Sequence, residues 1–524
     1  MDIDQNSELR LATRVLYTQP DILYEIFQIL IEGDGRRHTG LATLRHGSQV
    51  CMPWRDLLLS SPSLWGKSLD FDILMSKPAW RDEVIRRSGK SFVYITRIGN
   101  SGPRFFLKKD ELFLGSFIKD NWQRVKLLRI TLPVESVVTK LFDISLLQSP
   151  HAHIEELDIR EHHLCLRDAP SSPERSFTPD VEPGTWRADF GGDAPMLRRY
   201  NTGTSFQFPY HTSWLPQLRA LEATITACSI PSVLDELRNM KDLEHLDLSL
   251  PDVRTADPDA RARMPNIGLP CLTYLDINST GNTPESIDLL NYIKPRVGCR
   301  MYAAIAYRNA LSSSDINTIV RAFAAFPWNA GEGRRDQQGW IEILGHLMRI
   351  RSPTGHQLVL RGPSQKELWT PCFHHFATSP SSFCNAGSVR LALAKQVVDS
   401  IPSTDITFTE FLSNMTSLSH LSTDWITLRL IRRSSVDNDP QTGSRKALPV
   451  LESIEITGPE ANLNDLEVWL DCRATRDLIP IKHVRIYWDC DEDCPRSLYG
   501  FQRFTDMEVE LLGGAGGYSS RLGY

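Results

Sequence analysis

The sequence predicts an α/β protein in which a small N-terminal module of three helices precedes a long array of alternating strands and helices. Two observations support this class: apolar residues at helical spacing near the N-terminus, and short leucine- and isoleucine-rich strands that recur from residue 91 onward. At 524 residues the chain is several times an average domain in length. We therefore expect either several domains or one extended repeat array.

Composition excludes several classes of protein. Hydrophobic residues make up 41% and charged residues 23%, which is typical of a globular chain with a large core. The net charge of −6 argues against nucleic-acid binding, since phosphate recognition needs a concentrated basic face. We expect no secretory signal and no membrane span, because the first ten residues are polar and no apolar run approaches about 18 residues. Ten scattered cysteines indicate a reducing compartment, the cytoplasm or the nucleus.

The first predicted helix begins near Pro20, which is compatible with a first helical turn. Its apolar residues fall at a spacing that places them on one helical stripe: Ile22, Leu23, Ile26, Phe27 and Leu30. A loop at Gly33–His38 should end it.

Two further short helices are predicted, over Leu41–Gly47 and Met52–Ser60, followed by an extended segment, Ser68–Asp72. Such a small core leaves apolar residues over, and these favour burial against a partner. The alternative is that Trp54 and Trp65 pack into the rest of the chain.

Three blocks in this region resemble the F-box, in the version common in fungi: Pro20–Phe27, Val50–Leu57 and Ser61–Trp65. The resemblance covers about residues 17–70 and implies docking onto the Skp-type adaptor of a cullin ubiquitin ligase. It departs from the family pattern at Gln19 and at Pro53, which we expect in a first helical turn, where proline is tolerated. By this resemblance the adaptor-binding residues would be Pro20, Ile22, Leu23, Ile26, Phe27, Val50, Cys51, Trp54, Leu64 and Trp65.

Beyond residue 91 the clearest predicted strands are Phe92–Ile95, Val125–Ile130, Ile154–Ile159, Leu218–Leu221, Leu243–Leu248, Leu272–Ile277, Leu451–Ile456 and His483–Ile486. Equivalent positions recur at a spacing of 29 or 30 residues: Ile130 and Ile159, Leu246 and Leu275, Ile454 and Val484. An L-x-x-L-x-L core at this spacing is the leucine-rich-repeat signature, and such units stack into a solenoid. The alternative is an ordinary α/β domain with leucine-rich strands. F-box proteins frequently carry such repeats.

These patterns divide the chain into an F-box at 15–70, an irregular leucine-rich-repeat-like solenoid at 71–512 and a flexible glycine-rich tail at 513–524. Loops are predicted at 165–193, as an insertion that contains several prolines, and at 329–338. Helices between strands are predicted from Thr283 to Ile293 and over Asn464–Leu470.

Sequence motifs for catalysis are missing. The chain has no G-x-x-x-x-G-K loop, no G-x-S-x-G turn and no H-E-x-x-H helix. Three groups contain possible metal ligands, but each offers at most three, and a structural zinc needs four: His162–Cys165, Cys372–His375 and Cys490–Cys494. We expect a non-enzymatic protein without metal or cofactor; an enzyme of unrecognised type would need a deep pocket with shifted pKa values.

The polar residues of the predicted strands should face outward, where repeat scaffolds bind their partners. The candidate substrate-binding residues are Glu156, Asp158, His245, Asp247, Tyr274, Asp276 and Glu455. From their carboxylates we derive the hypothesis that the partner is a basic segment. The alternative is an ordinary solvated strand face, which is favoured by basic residues at comparable positions: Lys126, Arg129, Arg219 and Arg485. The predicted function is a ubiquitin-ligase substrate receptor that binds an adaptor and an unidentified protein substrate. The alternative is a repeat-based interaction scaffold outside any ligase.

Overall fold

The structure is a computed structural model. It describes residues 19–32, 39–97, 108–133, 144–162, 186–203, 206–226, 229–250, 264–279, 289–296, 298–307, 313–325, 339–344, 347–351, 356–361, 372–374, 376, 386–402, 405–436, 447–458, 463–476, 478–488, 499–504, 506–513 and 519–523.

The chain forms two compact units, and each is described by itself. The first unit comprises Met1–Thr224 with Asn239–Leu243, and the second comprises Ile225–Arg238 with Glu244–Tyr524. The N-terminal helices thus belong to the same compact unit as the strands up to Thr224.

The helices of the first unit are α1 (Pro20–Glu32), α2 (Thr39–Val50), α3 (Met52–Leu59), α4 (Pro62–Lys67), α5 (Phe71–Leu74), α6 (Pro78–Ser88) and α7 (Lys108–Asn121). The three helices predicted up to residue 60 are present, and Pro20 and Pro53 lie in first turns as expected. The segment Ser61–Trp65 contributes a further helix, α4, which begins at a proline.

Strands of the first unit form a parallel array in the order β1 (Leu69–Asp70), β2 (Val93–Arg97), β3 (Val125–Pro133), β4 (Glu156–His162), β5 (Arg199–Thr202) and β6 (Ala220–Thr224). Alternate side chains of these strands, such as Ile95, Leu128 and Leu157, are fully buried. The prediction of an extended Ser68–Asp72 is correct only for β1. The Asp70 carboxylate accepts a hydrogen bond from the Asp72 backbone at 2.9 Å, and this cap starts α5 at Phe71.

Helices of the second unit are α8 (Ile230–Leu237), α9 (Ser313–Ala325), α10 (Lys395–Ser400), α11 (Ile406–Asn414), α12 (Trp425–Val436) and α13 (Leu463–Thr475). Its strands are β7 (His245–Leu250), β8 (Ile267–Leu269), β9 (Tyr274–Ser279), β10 (Ile293–Pro295), β11 (Arg300–Ala306), β12 (Gly339–Leu344), β13 (Leu347–Arg351), β14 (Gln357–Arg361), β15 (Ser388–Leu393), β16 (His420–Asp424), β17 (Ser453–Thr457), β18 (His483–Trp488), β19 (Glu508–Gly513) and β20 (Ser519–Gly523).

The sheet of the second unit runs in the order β7, β9, β11, β14, β13, β12, β15, β16, β17, β18, β19, β20. Pairing is parallel except where β13 lies between β14 and β12 and where β20 pairs with β19. The chain is therefore α/β with mostly parallel sheet, as the sequence predicts. Among the described residues, no helix has the length and apolarity needed to cross a membrane.

The repeat spacing found in the sequence corresponds to direct strand neighbours. Ile130 pairs in register with Ile159, Leu246 with Leu275, and Ile454 with Val484. All of these side chains are fully buried. Residues one repeat period apart in these pairs therefore lie side by side on neighbouring strands, and both point into the core.

Some local predictions differ from the structure. The tail predicted as flexible contains β20, which pairs antiparallel with β19 and so satisfies its backbone hydrogen bonds. Within the predicted loop at 165–193, Phe190 is fully buried. Ile293 begins β10 instead of ending a helix, whereas the predicted helix at Asn464–Leu470 is confirmed as part of α13. The predicted loops at Gly33–His38 and 329–338, and residues 283–288 of the predicted helix from Thr283, lie outside the described residues.

Candidate docking surfaces

Helix α1 carries apolar side chains on two sides. Leu23 and Phe27, one helical turn apart, face the interior and are only 3% and 2% exposed. A second stripe follows the same helical spacing and faces outward: Ile22, Ile26, Ile29 and Leu30. A helix that is apolar on two sides is normally covered by protein on both of them. The outward stripe of α1 is therefore an exposed apolar surface.

The interior of the module fixes how the helices approach each other. The Phe27 ring meets the Trp54 ring edge-on, with centroids 5.3 Å apart. Gly47 of α2 lies against the same Phe27 ring, so that a Cβ at this position would be 2.7 Å from the ring. Arg55 Nε donates to the Ser48 carbonyl at 2.9 Å and joins the end of α2 to α3. Contacts across these helices therefore hold α1 and α3 in one fixed relation.

Helix α4 forms the base of the module. Trp65 is fully buried, and its Nε1 donates to the Leu58 carbonyl at 2.7 Å. The Tyr24 hydroxyl lies 2.8 Å from the Ser63 hydroxyl, and Lys67 forms an ion pair with Glu32. These contacts join both ends of α1 to α4.

Exposed apolar side chains are concentrated in this module. Of the thirteen large apolar residues that are exposed in the described part of the chain, seven lie between residues 22 and 59. The exposed fraction reaches 72% for Met52, 63% for Ile29 and 62% for Val50. These seven residues define what we call the apolar surface: Ile22, Ile26, Ile29, Leu30, Val50, Met52 and Leu59.

The structure distributes the residues of the F-box resemblance between surface and interior. Pro20, Ile22, Ile26 and Val50 are exposed, while Cys51 and Trp54 are half-buried. The interior holds Leu23, Phe27, Leu64 and Trp65, so these four support the surface from beneath and are not available for contact in this fold.

Sequence reasoning did not single out Ile29, Met52 and Leu59 as part of this surface. The signal for Ile29 was available, because it continues the spacing of Ile22 and Ile26 along α1. The exposure of Met52 and Leu59 depends on how α3 packs, which the sequence does not state.

The outward face of β3–β6 in the first unit is an ion-pair network. Arg129 pairs with both Glu156 and Asp158, and Arg160 pairs with Asp158 at 2.9 Å. Asn201 Nδ2 donates to Asp158 at 2.8 Å and also to Glu222. Burial raises the pKa of the Asp158 carboxyl, and the two arginines oppose that shift. The accessible groups here include both signs of charge, with 34% of the Arg129, 55% of the Arg160 and 37% of the Glu222 side chain exposed.

In the second unit, β7 and β9 bring together four of the predicted substrate-binding residues. The rings of His245 and Tyr274 stack with centroids 4.5 Å apart, and Asp247 pairs in register with Asp276. The Asp276 carboxylate accepts from the Tyr274 hydroxyl at 3.1 Å and from Asn278 at 2.8 Å. Burial and then the Asp276 charge raise the pKa of Tyr274 to about 12, so its hydroxyl stays protonated and can donate.

Glu455 lies on β17, several strands away from the other candidates of the second unit. In register it stands between Ser422 and Arg485, and its carboxylate is 3.8 Å from His420 Nε2. Beside it is a shallow pocket of about 170 Å³, lined by Ser453, His483, Val484, Arg485, Glu508 and Glu510. Arg485 pairs with Glu510 at 2.9 Å, and His483 Nδ1 lies 3.3 Å from the Glu508 carboxylate, so each carboxylate of this pocket has a nitrogen partner.

Among the described residues, no group of three or more potential metal-ligating side chains is found. Cys372 is buried with its Sγ 3.3 Å from Met348 Sδ, whereas His374 is exposed. Burial raises the pKa of the Cys372 thiol, which disfavours the thiolate that a metal requires. His163, Cys165, His375, Cys490 and Cys494 lie outside the described residues.

Comparison with known proteins adds no family assignment. No protein-family model matches the chain, and no curated protein matches it.

Proposed function

We propose that this chain is the substrate-receptor subunit of a Skp–cullin–F-box type ubiquitin ligase, working in the cytoplasm or nucleus. In this proposal the helical module is an F-box that docks onto a Skp-type adaptor, and the strand array is an irregular leucine-rich-repeat-like solenoid that holds a protein substrate. The chain performs no bond chemistry itself; it supplies proximity by holding the substrate near a ubiquitin-charged enzyme.

The apolar surface is the observation that carries the proposal. Seven exposed large apolar side chains within 38 residues make a surface that water solvates poorly. Residues of two of the three F-box-like blocks contribute to it: Ile22, Ile26, Val50 and Met52. A groove in a partner that accepts apolar anchors from α1 and α3 would remove them from water. Burying one isoleucine side chain contributes about 1.5–3 kcal/mol.

The buried members of the F-box resemblance support the same proposal indirectly. Leu23, Phe27, Leu64 and Trp65 fill the interior, and their packing sets the relation of α1 to α3. A preorganised surface loses little conformational freedom on docking, which favours tight association.

Co-purification with a Skp-type adaptor tests the proposal. The variant should remove exposed anchors without touching the core, as Ile22→Asp with Ile26→Asp does, since 43% and 37% of these side chains are exposed. Leu112→Asp on α7 is the matched control, because Leu112 is 56% exposed in the same compact unit.

We expect the native chain and the Leu112→Asp control to form a stoichiometric complex and the double variant to form none. Failure of a folded native chain to bind any Skp-type adaptor would contradict the proposal. It would favour the alternative, a repeat-based interaction scaffold acting outside a ubiquitin ligase.

A further inference from the structure

Four arginines converge on one face of the sheet in the second unit. They come from three strands: Arg361 on β14, Arg349 and Arg351 on the adjacent β13, and Arg390 on β15, with β12 lying between β13 and β15. In the sequence these arginines are up to 41 positions apart, and none forms a basic run. We call these four residues together with Trp340 of β12 the arginine patch.

Strand register explains why the five side chains lie on the same face of the sheet. Trp340 pairs in register with Arg351 on one side and with Arg390 on the other. Arg349 pairs with Val359 of β14, and Arg361 of the same strand pairs with Leu347. The alternate residues of these strands are buried, among them Ile350, Leu360 and Leu391, so the arginines point away from the core.

The charge of this face is unbalanced. Among the described outward side chains of β12–β15 there are four guanidinium groups and one carboxylate, Glu342. Glu342 is 3.3 Å from Arg349, and no described carboxylate lies within ion-pair distance of Arg351, Arg361 or Arg390. Three of the four guanidinium groups therefore remain without a described carboxylate partner, and an anionic ligand could supply one.

We propose that the arginine patch is a docking site for an acidic polypeptide segment, rich in Asp and Glu. Guanidinium groups bind carboxylates through paired N–H donors in a fixed plane, which suits several carboxylates along one chain. Neighbouring strands lie about 4.8 Å apart, so the patch spans about 14 Å from β14 to β15. An extended segment of about four residues covers that distance.

The aromatic content favours a polypeptide over single-stranded RNA. Sequence-independent binding of single-stranded RNA uses several open aromatic faces on which successive bases stack. Trp340 is the aromatic side chain of the patch, and the Arg390 guanidinium lies over its ring at 5.3 Å. With that ring face covered, the patch offers charge without a stacking platform.

Binding of an acidic segment to the arginine patch does not require the adaptor. That this segment belongs to a ubiquitylation substrate is an inference that rests on the proposed function. The test therefore uses the purified full-length chain alone. The probe is a fluorescent Asp/Glu-rich peptide of about eight residues, twice the span of the patch, measured by fluorescence anisotropy.

Variants Arg351→Glu and Arg390→Glu are compared with Lys395→Glu, an exposed residue of α10 that gives the same change in net charge. We expect each arginine variant to weaken binding by about tenfold or more and the lysine control to leave it unchanged. Arg351→Gln, which keeps the side chain polar, should weaken binding less than Arg351→Glu and guards against an effect of misfolding.

Several results would overturn the proposal. Equal binding by the native chain and the folded arginine variants would show that the peptide docks elsewhere. Equal binding of the corresponding Asn/Gln peptide would remove the electrostatic basis, and tighter binding of single-stranded RNA of similar length would assign the patch to nucleic acid. Because no adaptor takes part, loss of the ligase proposal and loss of this one are separate outcomes.

Discussion

Gly47 on α2 and Phe27 on α1 touch so closely that the glycine leaves no room for a side chain. A Cβ at Gly47 would lie 2.7 Å from Phe27 and 3.0 Å from Leu58. This contact sets the distance between α1 and α2, and through Phe27 and Trp54 it also positions α3. The apolar surface that we propose as the adaptor site thus depends on a residue that is not part of it.

Replacing Gly47 with alanine should therefore loosen the module. We expect a loss of about 1–3 kcal/mol, since an added methyl in a packed interior forces its neighbours to shift. Hydrogen exchange of α1 and α2 measures the loss locally. Gly387→Ala is the control, because a Cβ there meets no atom within 4 Å. Unchanged exchange in the Gly47 variant would show that Phe27 can move aside at no cost.

Asp158 should be more important for stability than its neighbour Glu155. Asp158 is 6% exposed and holds Arg129, Arg160 and Asn201 together. Asp158→Ala removes the acceptor that these three side chains share, although Glu156 and Glu222 remain, and we expect a loss of about 2 kcal/mol.

The matched control for Asp158 is Glu155→Ala, which removes the ion pair to Lys126 at a position where 36% of the side chain is exposed. Its expected loss is below about 1 kcal/mol. Urea unfolding of both variants compares them, and equal losses would contradict a buried network.

His356 should make the second unit sensitive to mild acid. It is 2% exposed, and its Nδ1 accepts from the Met301 backbone at 3.0 Å. Burial, followed by the charge of Arg300, lowers the pKa of His356 to about 4.

Because the unfolded chain takes up this proton near pH 6.5 and the folded chain does not, stability falls as pH drops from about 6.5 to about 4, by about 3 kcal/mol in total. Unfolding free energies across that range measure the effect. His356→Asn should flatten the pH dependence, whereas replacing the exposed His374 with Gln should not.

The buried Arg473 side chain should stabilise the second unit through its hydrogen bonds. It is 4% exposed, and its guanidinium donates to the carbonyls of Leu448, Leu451 and Ile479 at 3.0, 3.3 and 3.0 Å. Burial lowers its pKa to about 10, which leaves it charged at neutral pH.

Arg473→Met fills a similar volume but removes three donors, and we expect a loss of about 3 kcal/mol because buried carbonyls are left unsatisfied. Arg503→Met is the control, since 51% of that side chain is exposed and its ion pairs are with Asp471 and Glu467. Its expected loss is below about 1 kcal/mol in thermal unfolding. Similar losses in both variants would refute the role of Arg473.

Strand prediction succeeded where leucine and isoleucine alternate with polar residues. Each of the eight predicted strands overlaps a strand of the structure, and the spacing of Leu246 from Leu275 anticipated their pairing in register. Strands such as β11 and β13 were not predicted. In β11 the alanines Ala303, Ala304 and Ala306 give a weak alternation, and their burial depends on neighbours that are remote in sequence.

The arrangement of β12, β13 and β14 also could not be predicted from the sequence. These strands turn back on each other, so a repeat that is parallel elsewhere is interrupted by β13. No periodic signal in the sequence marks this reversal, because each strand alternates in the same way in either direction.

Local residue patterns by themselves determined the α/β class, the three first helices and the eight clearest strands, since helix and strand periodicity are properties of neighbouring residues. Only the tertiary structure decided which apolar residues of α1 face inward, with Phe27 buried and Ile29 exposed, because that depends on the packing of α2 and α3. It also decided the charge of the sheet faces. Glu156 and Asp158 pair with Arg129, and Arg351 and Arg390 flank Trp340, through strand pairings that join residues far apart in the chain.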